Sequence, residues 1–241
     1  MIGAGAARKL DSTPMIHDWL KQTVCKSAYQ LEASRKTIFQ FGMSVAQALA
    51  KNPIQKWEAD AWARGLKIGL IRLESYFFRV GSGKRSPLSF FVRNDRDVYV
   101  GLRRESITQA ATYVSLVTDY GYSRSQTRFE SQWMDVVVYG EDGKVLIYAE
   151  NKAHQKTLEK LCSRLSAEFL NNIPAVDPEA RGIDDALMKA HHIWRNRPQF
   201  FWGVCPTDRQ VYEVLYSRTG FSLAELDALP SAFAKECASV G

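Results

Sequence analysis

The chain has 241 residues, of which 46% are hydrophobic and 24% are charged, and its formal net charge is +6. This composition is typical of a globular protein with a sizeable core, in one large domain or two small ones. The sequence contains no stretch of about 18 apolar residues and no signal-peptide pattern. These features exclude a membrane protein and predict a cytoplasmic one, nucleoid-associated if its source is prokaryotic. The positive charge favours a polyanionic partner.

The cysteine pattern excludes two classes of site. The four cysteines are far apart and form no C-x-x-C pair, so neither a zinc knuckle nor a redox motif is indicated. They are interpreted as reduced, mostly buried thiols of a cytosolic protein.

The N-terminal region is predicted to be helical. After a loose tail at residues 1–10, apolar residues recur with a helical period over residues 14–51, and Gly42 bends or divides this helix. Asn52-Pro53 ends it, and a second helical pattern covers residues 54–78. Basic residues are scattered over both segments. A solvated face and a phosphate-contacting or subunit-contacting surface are therefore both open interpretations.

Residues 81–87, Gly-Ser-Gly-Lys-Arg-Ser-Pro, match a phosphate-binding loop only in part. The P-loop pattern requires an earlier glycine and a Ser or Thr directly after the lysine, and Phe78 and Arg85 stand at those positions. We therefore predict a flexible basic loop at a boundary between a helical region, residues 1–85, and a second domain, residues 86–241. Apolar runs in residues 88–100 predict a hairpin around Asn94-Asp95.

An amphipathic helix is predicted over residues 103–119, with Gly121 as its C-terminal cap. Glu105 lies in the first turn, where an acid interacts favourably with the helix dipole, and this role alone would explain it. Residues 122–130 form a strand candidate, on which Arg124, Arg128 and Glu130 alternate with smaller side chains.

The strongest hairpin signal consists of two strand-like runs, residues 133–139 and 144–150, joined by the turn-forming residues 140–143. If residues 142 and 143 form a type I′ loop, Asp135 faces Glu150. If residues 141 and 142 form the loop, Asp135 faces Tyr148. Either even-length loop places Asp135, Glu150 and Lys152 on one face of the sheet, because side chains alternate along a strand.

Two carboxylates in an apolar hairpin do not favour folding by themselves, because opposed like charges destabilise a strand pair. A Mg²⁺ ion, which binds carboxylates, water and phosphate oxygens, would reverse the sign of this interaction. Lys152 could orient a water molecule or balance the charge of a phosphate. The structural alternative is a hairpin whose Glu150 and Lys152 are solvated charges at the strand end, with Asp135 open to solvent.

The remaining sequence predicts helices over residues 155–170 and 184–196, strands over residues 200–205 and 210–216, and a last short helix opened by a capping box at residues 222–225. Lys156, Lys160 and Arg164 share the polar side of the first helix, as a solvated face or as a row that follows a DNA strand. His191 and His192 are adjacent on a helix and point apart, which argues against a metal site.

The order of these features resembles the PD-(D/E)xK nuclease superfamily, and the compact arrangement is similar to archaeal Holliday-junction resolvases. The residues that carry the resemblance are Glu105, Asp135, Glu150 and Lys152, over about residues 103–170. Met134 stands where the motif name has proline, and a minimal resolvase lacks the N-terminal hundred residues. The resemblance implies an α/β fold with a restriction-endonuclease-like α-β-β-β-α-β core. It also implies that the acids bind metal and that the lysine assists the attacking water.

The resulting expectation is an endonuclease that hydrolyses DNA phosphodiester bonds with Mg²⁺, for which Mn²⁺ can substitute. Its metal ligands would be Asp135, Glu150 and Glu105, with Lys152 as the fourth catalytic residue. The expected partners are DNA and either a second copy of the chain or a larger DNA-processing complex. The rival expectation is a catalytically silent DNA-binding or assembly subunit that retains the fold. The residues expected to bind DNA are Lys156, Lys160, Arg164, Arg124 and Arg128.

Overall fold

The structure is a computed structural model that describes residues 13–81, 87–131, 133–175, 177 and 182–232. The predicted tail at residues 1–10, residues 82–86 of the basic loop and the predicted boundary at residue 85 lie outside the described residues. Within the described residues, the fold is mixed α/β, with six helices and a six-stranded mixed sheet. None of those helices has both the length and the apolarity that crossing a bilayer requires.

The N-terminal region contains three helices: α1 (Thr13–Ala33), α2 (Phe41–Lys51) and α3 (Lys56–Lys67). The predicted single helix over residues 14–51 is wrong, because the chain leaves the helical conformation after α1. Arg35 and Gln40 in the connection have positive φ angles of 57° and 55°. Gly42 does not bend a helix. A Cβ atom on Gly42 would lie 2.3 Å from the ring of Tyr29, so the glycine allows α2 to pack closely against α1.

The predicted helix over residues 54–78 is also too long. It ends where Gly69 has a φ angle of 71° and the amide of Leu70 donates to the carbonyl of Gly65 at 2.7 Å. Five short strands follow: β1 (Ile71–Glu74), β2 (Phe77–Val80), β3 (Leu88–Ser89), β4 (Phe91–Arg93) and β5 (Tyr99–Leu102). Strands β1–β3 form one antiparallel sheet, and β4 pairs with β5. The predicted hairpin at Asn94 is confirmed, and its side chain accepts the amides of Arg96 and Val98.

The rest of the chain forms the main sheet and the helices that cover it. These elements are α4 (Arg104–Thr118), β6 (Thr127–Ser131), β7 (Met134–Tyr139), β8 (Val145–Asn151), α5 (Gln155–Ala167), α6 (Asp185–Asn196), β9 (Phe200–Val204), β10 (Arg209–Tyr216) and β11 (Phe221–Leu226). The strand order is β11-β10-β9-β8-β7-β6. Only β8 and β9 are parallel, and α5 and α6 form the crossover that a parallel connection requires.

Each face of the main sheet has its own apolar layer. Val136, Val138 and Ala149 belong to a cluster that includes α4 and the N-terminal helices, whereas Val137 and Tyr148 pack with α5 and α6. The N-terminal helices and the sheet therefore share one hydrophobic core. This alternation along β7 and β8 is the period-two pattern of a strand buried on both faces.

The final element differs from its prediction. The segment at residues 222–225 is not a helix, because it belongs to β11, which pairs with β10 in antiparallel register. Phe221 and Leu223 are buried and alternate with more exposed residues. The sheet edge that β10 offers, together with this alternation, outweighs the local capping-box pattern.

A buried ion pair fixes α3 to the start of α4. Arg104 donates to both carboxylate oxygens of Glu58, at 2.9 and 2.5 Å, and the two side chains are 6% and 0% exposed. Thr108 donates to the same carboxylate, and Arg104 also donates to the carbonyls of Asn52 and Pro53. The charges are thus neutralised and fully hydrogen-bonded, which a buried pair needs in order to be tolerated.

Arg104→Ala is expected to lower the free energy of unfolding by about 3–5 kcal/mol, because it leaves the Glu58 carboxylate buried without a counter-charge. Urea denaturation measures the loss. Lys56→Ala is the matched control, since it breaks the exposed pair with Asp60 on the neighbouring turn and should cost no more than about 1 kcal/mol. Equal losses for the two variants would contradict a structural role for the buried pair.

Candidate active site

The hairpin of β7 and β8 places Asp135 and Glu150 at the same end of the strand pair. The paired register ends at Val136 and Ala149, and the two acids are the next residue on each strand. The turn differs from both predicted loops. The amide of Gly140 donates to the carbonyl of Lys144, and Gly143 alone in the turn has positive φ, so the loop has three residues.

An odd loop by itself would have turned Asp135 to the other face. A bulge between Val138 and Tyr139 adds one further residue to β8 and restores the register. The register expected for a loop at residues 142 and 143 is therefore found at Val136 and Ala149, although the predicted turn is wrong. The two irregularities cancel because the apolar residues of both strands must stay on their own faces of the sheet.

Asp135 is held by α4 and by the next strand. Its Oδ1 accepts from the side-chain amide of Gln109 at 3.1 Å, and its Oδ2 accepts from the backbone amide of Asn151 at 2.6 Å. Burial raises the pKa of Asp135 well above its usual range, and the nearby Glu150 carboxylate adds to this shift. The surroundings of Asp135 therefore disfavour its ionised form.

Glu150 is 2% exposed and is neutralised by two lysines. Lys152 contacts its Oε1 at 2.9 Å, and Lys189 of α6 contacts its Oε2 at 2.7 Å. Lys152 also pairs with Asp185 at 2.9 Å. Burial lowers the pKa of Lys152, but the carboxylates of Glu150 and Asp185 outweigh this effect and raise it above its ordinary value.

Asp135 and Glu150 have their polar partners on different sides of the sheet. Asp135 reaches α4 and Glu150 reaches α6, which pack on opposite faces of the sheet. Within the described residues, no three His, Cys, Asp or Glu side chains are grouped closely enough to hold a metal ion in this conformation. The two carboxylates are therefore held toward opposite faces of the sheet, and the prediction that they lie on one face is wrong for this conformation. A cation bound to both would require one of them to leave its present partners.

Glu105 lies in the first turn of α4, as predicted, and lines a cleft of about 320 Å³ with Asp135 and Glu130. Burial raises the pKa of Glu105, the Lys152 ammonium partly offsets this shift, and Glu150 adds to it. Glu105 therefore interacts electrostatically with Lys152 and Glu150, and Asp135 interacts with Glu150 and Glu105. The three acids of the cleft are the ligand type that a hard cation prefers, but in this conformation they are not grouped closely enough to hold one.

The predicted DNA-binding residues divide into two groups. Lys156 and Lys160 are exposed on α5. Arg164 instead pairs with Glu168 and with Asp184, the N-cap of α6, and these contacts raise its pKa. Arg164 thus links α5 to α6.

Arg124 and Arg128 lie at β6, on the far side of the hairpin from β8. Arg124 donates to the carbonyl of Ile68, and Arg128 donates to the carbonyl of Arg124. Both guanidinium groups therefore contact backbone rather than the acids of the site. Their predicted role in DNA binding stays a prediction.

The structure adds residues that sequence reasoning did not assign. Gln109 follows Glu105 by one helical turn, so the i, i+4 spacing could have identified it. Lys189 follows Asp185 by the same spacing, but nothing in the sequence indicates that it reaches Glu150. Glu130 has a positive φ angle of 47°, which local sequence does not predict.

His191 and His192 are separate, as predicted: His191 contacts the carbonyl of Pro174, and His192 stacks on Trp133.

Comparisons with models of known protein families, with curated proteins and with solved structures give no match. The interpretation of the site therefore rests on its geometry and on its chemistry.

Asp135→Asn is expected to stabilise the protein near neutral pH in EDTA. The folded pKa of Asp135 lies above the unfolded value, so the stability it contributes is complete below about pH 4 and is lost as pH rises through the raised pKa. The asparagine cannot ionise. The excess stability of the variant should therefore grow with pH, by about 1.4 kcal/mol for each unit of the shift. Urea midpoints from pH 4 to pH 8 measure it.

Asp142→Asn in the hairpin turn is the control of opposite sign. The backbone amide of Lys144 lowers the pKa of Asp142, so its contribution is present above about pH 4 and lost as pH falls. A stability difference for Asp135→Asn that does not change with pH would show that Asp135 ionises as readily in the folded chain as in the unfolded one.

Proposed function

We propose that the protein is a metal-dependent endonuclease that hydrolyses DNA phosphodiester bonds at a centre formed by Asp135, Glu150, Lys152 and Glu105. The observation that carries the proposal is that Asp135 and the buried Glu150 lie at one end of the β7–β8 hairpin, close enough for Glu150 to raise the pKa of Asp135, and that the Glu150 carboxylate contacts Lys152. Two acids and a lysine at the end of an apolar hairpin are costly for folding. A catalytic role accounts for that cost.

The order of elements gives a second argument. From α4 through β6, β7 and β8 to α5 and then β9, the chain follows the α-β-β-β-α-β order of a restriction-endonuclease-like core. Helix α6 is inserted before β9, and β10 and β11 extend the sheet. The assignment to that fold family belongs to the proposal, as does the cytoplasmic location.

The acids supply what Mg²⁺ requires, with Mn²⁺ as a substitute. Glu105 and Asp135 line the cleft, and both have pKa values raised by burial, which a bound cation would lower. Together with Glu150, they are the residues that would hold the metal. When bound, the metal would activate a water molecule and stabilise the charge that develops on the phosphate.

Lys152 acts in this proposal as a cation. Its two carboxylate partners keep its pKa above the ordinary value, so it carries a proton at neutral pH and cannot serve as a general base there. A fixed ammonium near the reacting phosphate stabilises the additional negative charge of the transition state. Gln109 and the amide of Asn151 would orient the Asp135 carboxylate through their hydrogen bonds.

The ion pairs of Glu150 favour a second candidate function. Both of its oxygens are engaged by ammonium groups, from Lys152 and Lys189, and these can take the place of a metal ion as counter-charges. A protein that keeps this arrangement permanently would be a catalytically silent subunit that binds DNA or helps to assemble a larger complex.

Lys152→Ala is expected to reduce the cleavage rate on the order of 10²–10³-fold, because it removes one electrostatic contact to the transition state. DNA affinity should stay nearly unchanged, since one phosphate contact accounts for at most about one unit of the salt slope. The assay measures nicking of plasmid, linear and branched DNA with Mg²⁺, Mn²⁺ or EDTA. Lys144→Ala, at the exposed turn of the same hairpin, is the control that should retain the full rate.

If the protein is a silent subunit, the same assay is expected to give a different result. Wild-type protein would then bind DNA but cut no form of it, and Asp135→Asn would not change its response to metal. Lys189→Ala adds a further test, because freeing one oxygen of Glu150 should strengthen Mg²⁺ binding if that carboxylate is a ligand. If cleavage appears only after another subunit is added, the proposed chemistry stands and only the proposed partner changes.

Replacing Lys156 and Lys160 together by alanine is expected to flatten the dependence of DNA affinity on salt by up to about two units. Both side chains are exposed on α5 and so are available to phosphates. Arg164→Ala should mainly lower stability, because Arg164 links α5 to α6. Fluorescence anisotropy at several salt concentrations measures the slope. An unchanged slope in the double variant would show that α5 does not face the DNA.

A further inference from the structure

A second cavity adjoins the acidic cleft. Its volume is about 450 Å³, and it opens between α2, the β4–β5 hairpin, the start of α4 and the residues that follow Lys152. It has an apolar side and a polar side. The apolar side is lined by Ala48, Val92, Leu102 and Ala153. The volume is within the range of cavities that bind small ligands.

The polar side of this cavity carries more basic than acidic residues. Lys51, Arg103 and His154 line it and are exposed, and Glu105 is its one acidic residue. No hydrogen bond or ion pair to another side chain in the described part of the chain holds Lys51 or Arg103. Their charges are therefore available to a ligand. An apolar interior with a cationic rim matches a nucleotide, whose base is flat and largely apolar on its faces and whose phosphate is anionic.

The cavity is a direct neighbour of the proposed active site. Arg103 and Glu105 line both the cavity and the acidic cleft that contains Asp135. A nucleotide in the cavity would consequently be a close neighbour of the phosphate that the acids and Lys152 act on. This arrangement argues for a nucleotide within a strand rather than for a free one.

The N-terminal helices form one wall of the cavity and are attached to the site. The side-chain amide of Asn52, just after α2, donates to the carbonyl of Ala153 at 2.7 Å and lies 3.5 Å from Nδ1 of His154. The buried pair of Arg104 and Glu58 fixes the same wall to α4. The N-terminal region therefore shapes the cavity as well as contributing to the core.

We propose that this cavity binds an unpaired nucleotide of a DNA strand beside the scissile phosphate, with the phosphate of that nucleotide at Lys51, Arg103 and His154. The proposal rests on the proposed nuclease function and specifies its substrate class. In a continuous duplex the bases are stacked and paired, and entry into a lateral cavity would require unstacking. A branched, flapped or single-stranded substrate presents an unpaired nucleotide without that cost.

The experiment fills the cavity without removing a core contact. Ala48→Phe places a ring in the cavity from α2, and Ala50→Phe places the same ring on the exposed side of the same helix. Full-length protein in EDTA is titrated into labelled flap, single-stranded and duplex DNA. Wild type and Ala50→Phe should bind flap DNA about tenfold more tightly than duplex, and Ala48→Phe should lose that preference.

A second pair of variants applies if Ala48→Phe melts at a lower temperature than Ala50→Phe. Lys51→Ala should reduce the salt slope of flap binding by about one unit and leave duplex binding unchanged. Lys67→Ala, which is exposed on α3 and does not line the cavity, should change neither.

The outcomes separate this inference from the proposed function. Equal affinity of wild type for flap and duplex DNA, or equal behaviour of both members of each pair, would overturn the nucleotide site while metal-dependent cleavage could still be observed. Failure of wild type to bind or cut any form of DNA would overturn the proposed function and the nucleotide site with it.

Discussion

The buried carboxylate of Glu150 is the constraint on which the centre of this structure depends. A charge at 2% exposure is tolerated only when it is paired, and the counter-charges come from Lys152, directly after β8, and from Lys189 of α6. The pairing draws α6 against the end of β8, and Asp185 at the start of α6 completes it through Lys152. The crossover that joins the two parallel strands is thus anchored by electrostatics as well as by its apolar face.

A second buried ion pair, between Arg104 and Glu58, positions the N-terminal region in the same way. Arg104 begins α4 one residue before Glu105, and its hydrogen bonds to Glu58 and to the carbonyls of Asn52 and Pro53 fix the position of that helix end. The acid in the cleft is therefore positioned from the N-terminal side. The same helical region also shares a hydrophobic core with the sheet, and the coupling places the wall of the basic cavity next to the acids.

The sequence predicts the regular elements well where one periodicity extends over many residues. Helix α4 and the hairpin strands are recognisable because their apolar residues repeat without interruption. Predictions fail where tertiary contacts outweigh local preference: Gly42 serves packing against Tyr29, and residues 222–225 pair with β10 despite their capping box. The predicted acids lie near enough for Glu150 and Glu105 to raise the pKa of Asp135, but their hydrogen bonds run to different helices. Those contacts, the position of Lys189 and the basic cavity depend on long-range packing that no local pattern encodes.

The two lysines that neutralise Glu150 come from different parts of the fold. Lys152 directly follows β8, its amide donates to the carbonyl of Val204, and its ammonium group is also held by Asp185, so the end of β8 determines its position. Lys189 is carried by a separate helix, and its ammonium also donates to the carbonyl of Trp133 at the start of β7. Each lysine has another acceptor, Asp185 for Lys152 and the carbonyl of Trp133 for Lys189, so either ammonium group can stay hydrogen-bonded if a cation takes its place at Glu150. The ion pairs of Glu150 are therefore compatible with both proposed functions, and the two differ in whether a metal ion displaces an ammonium group from this carboxylate.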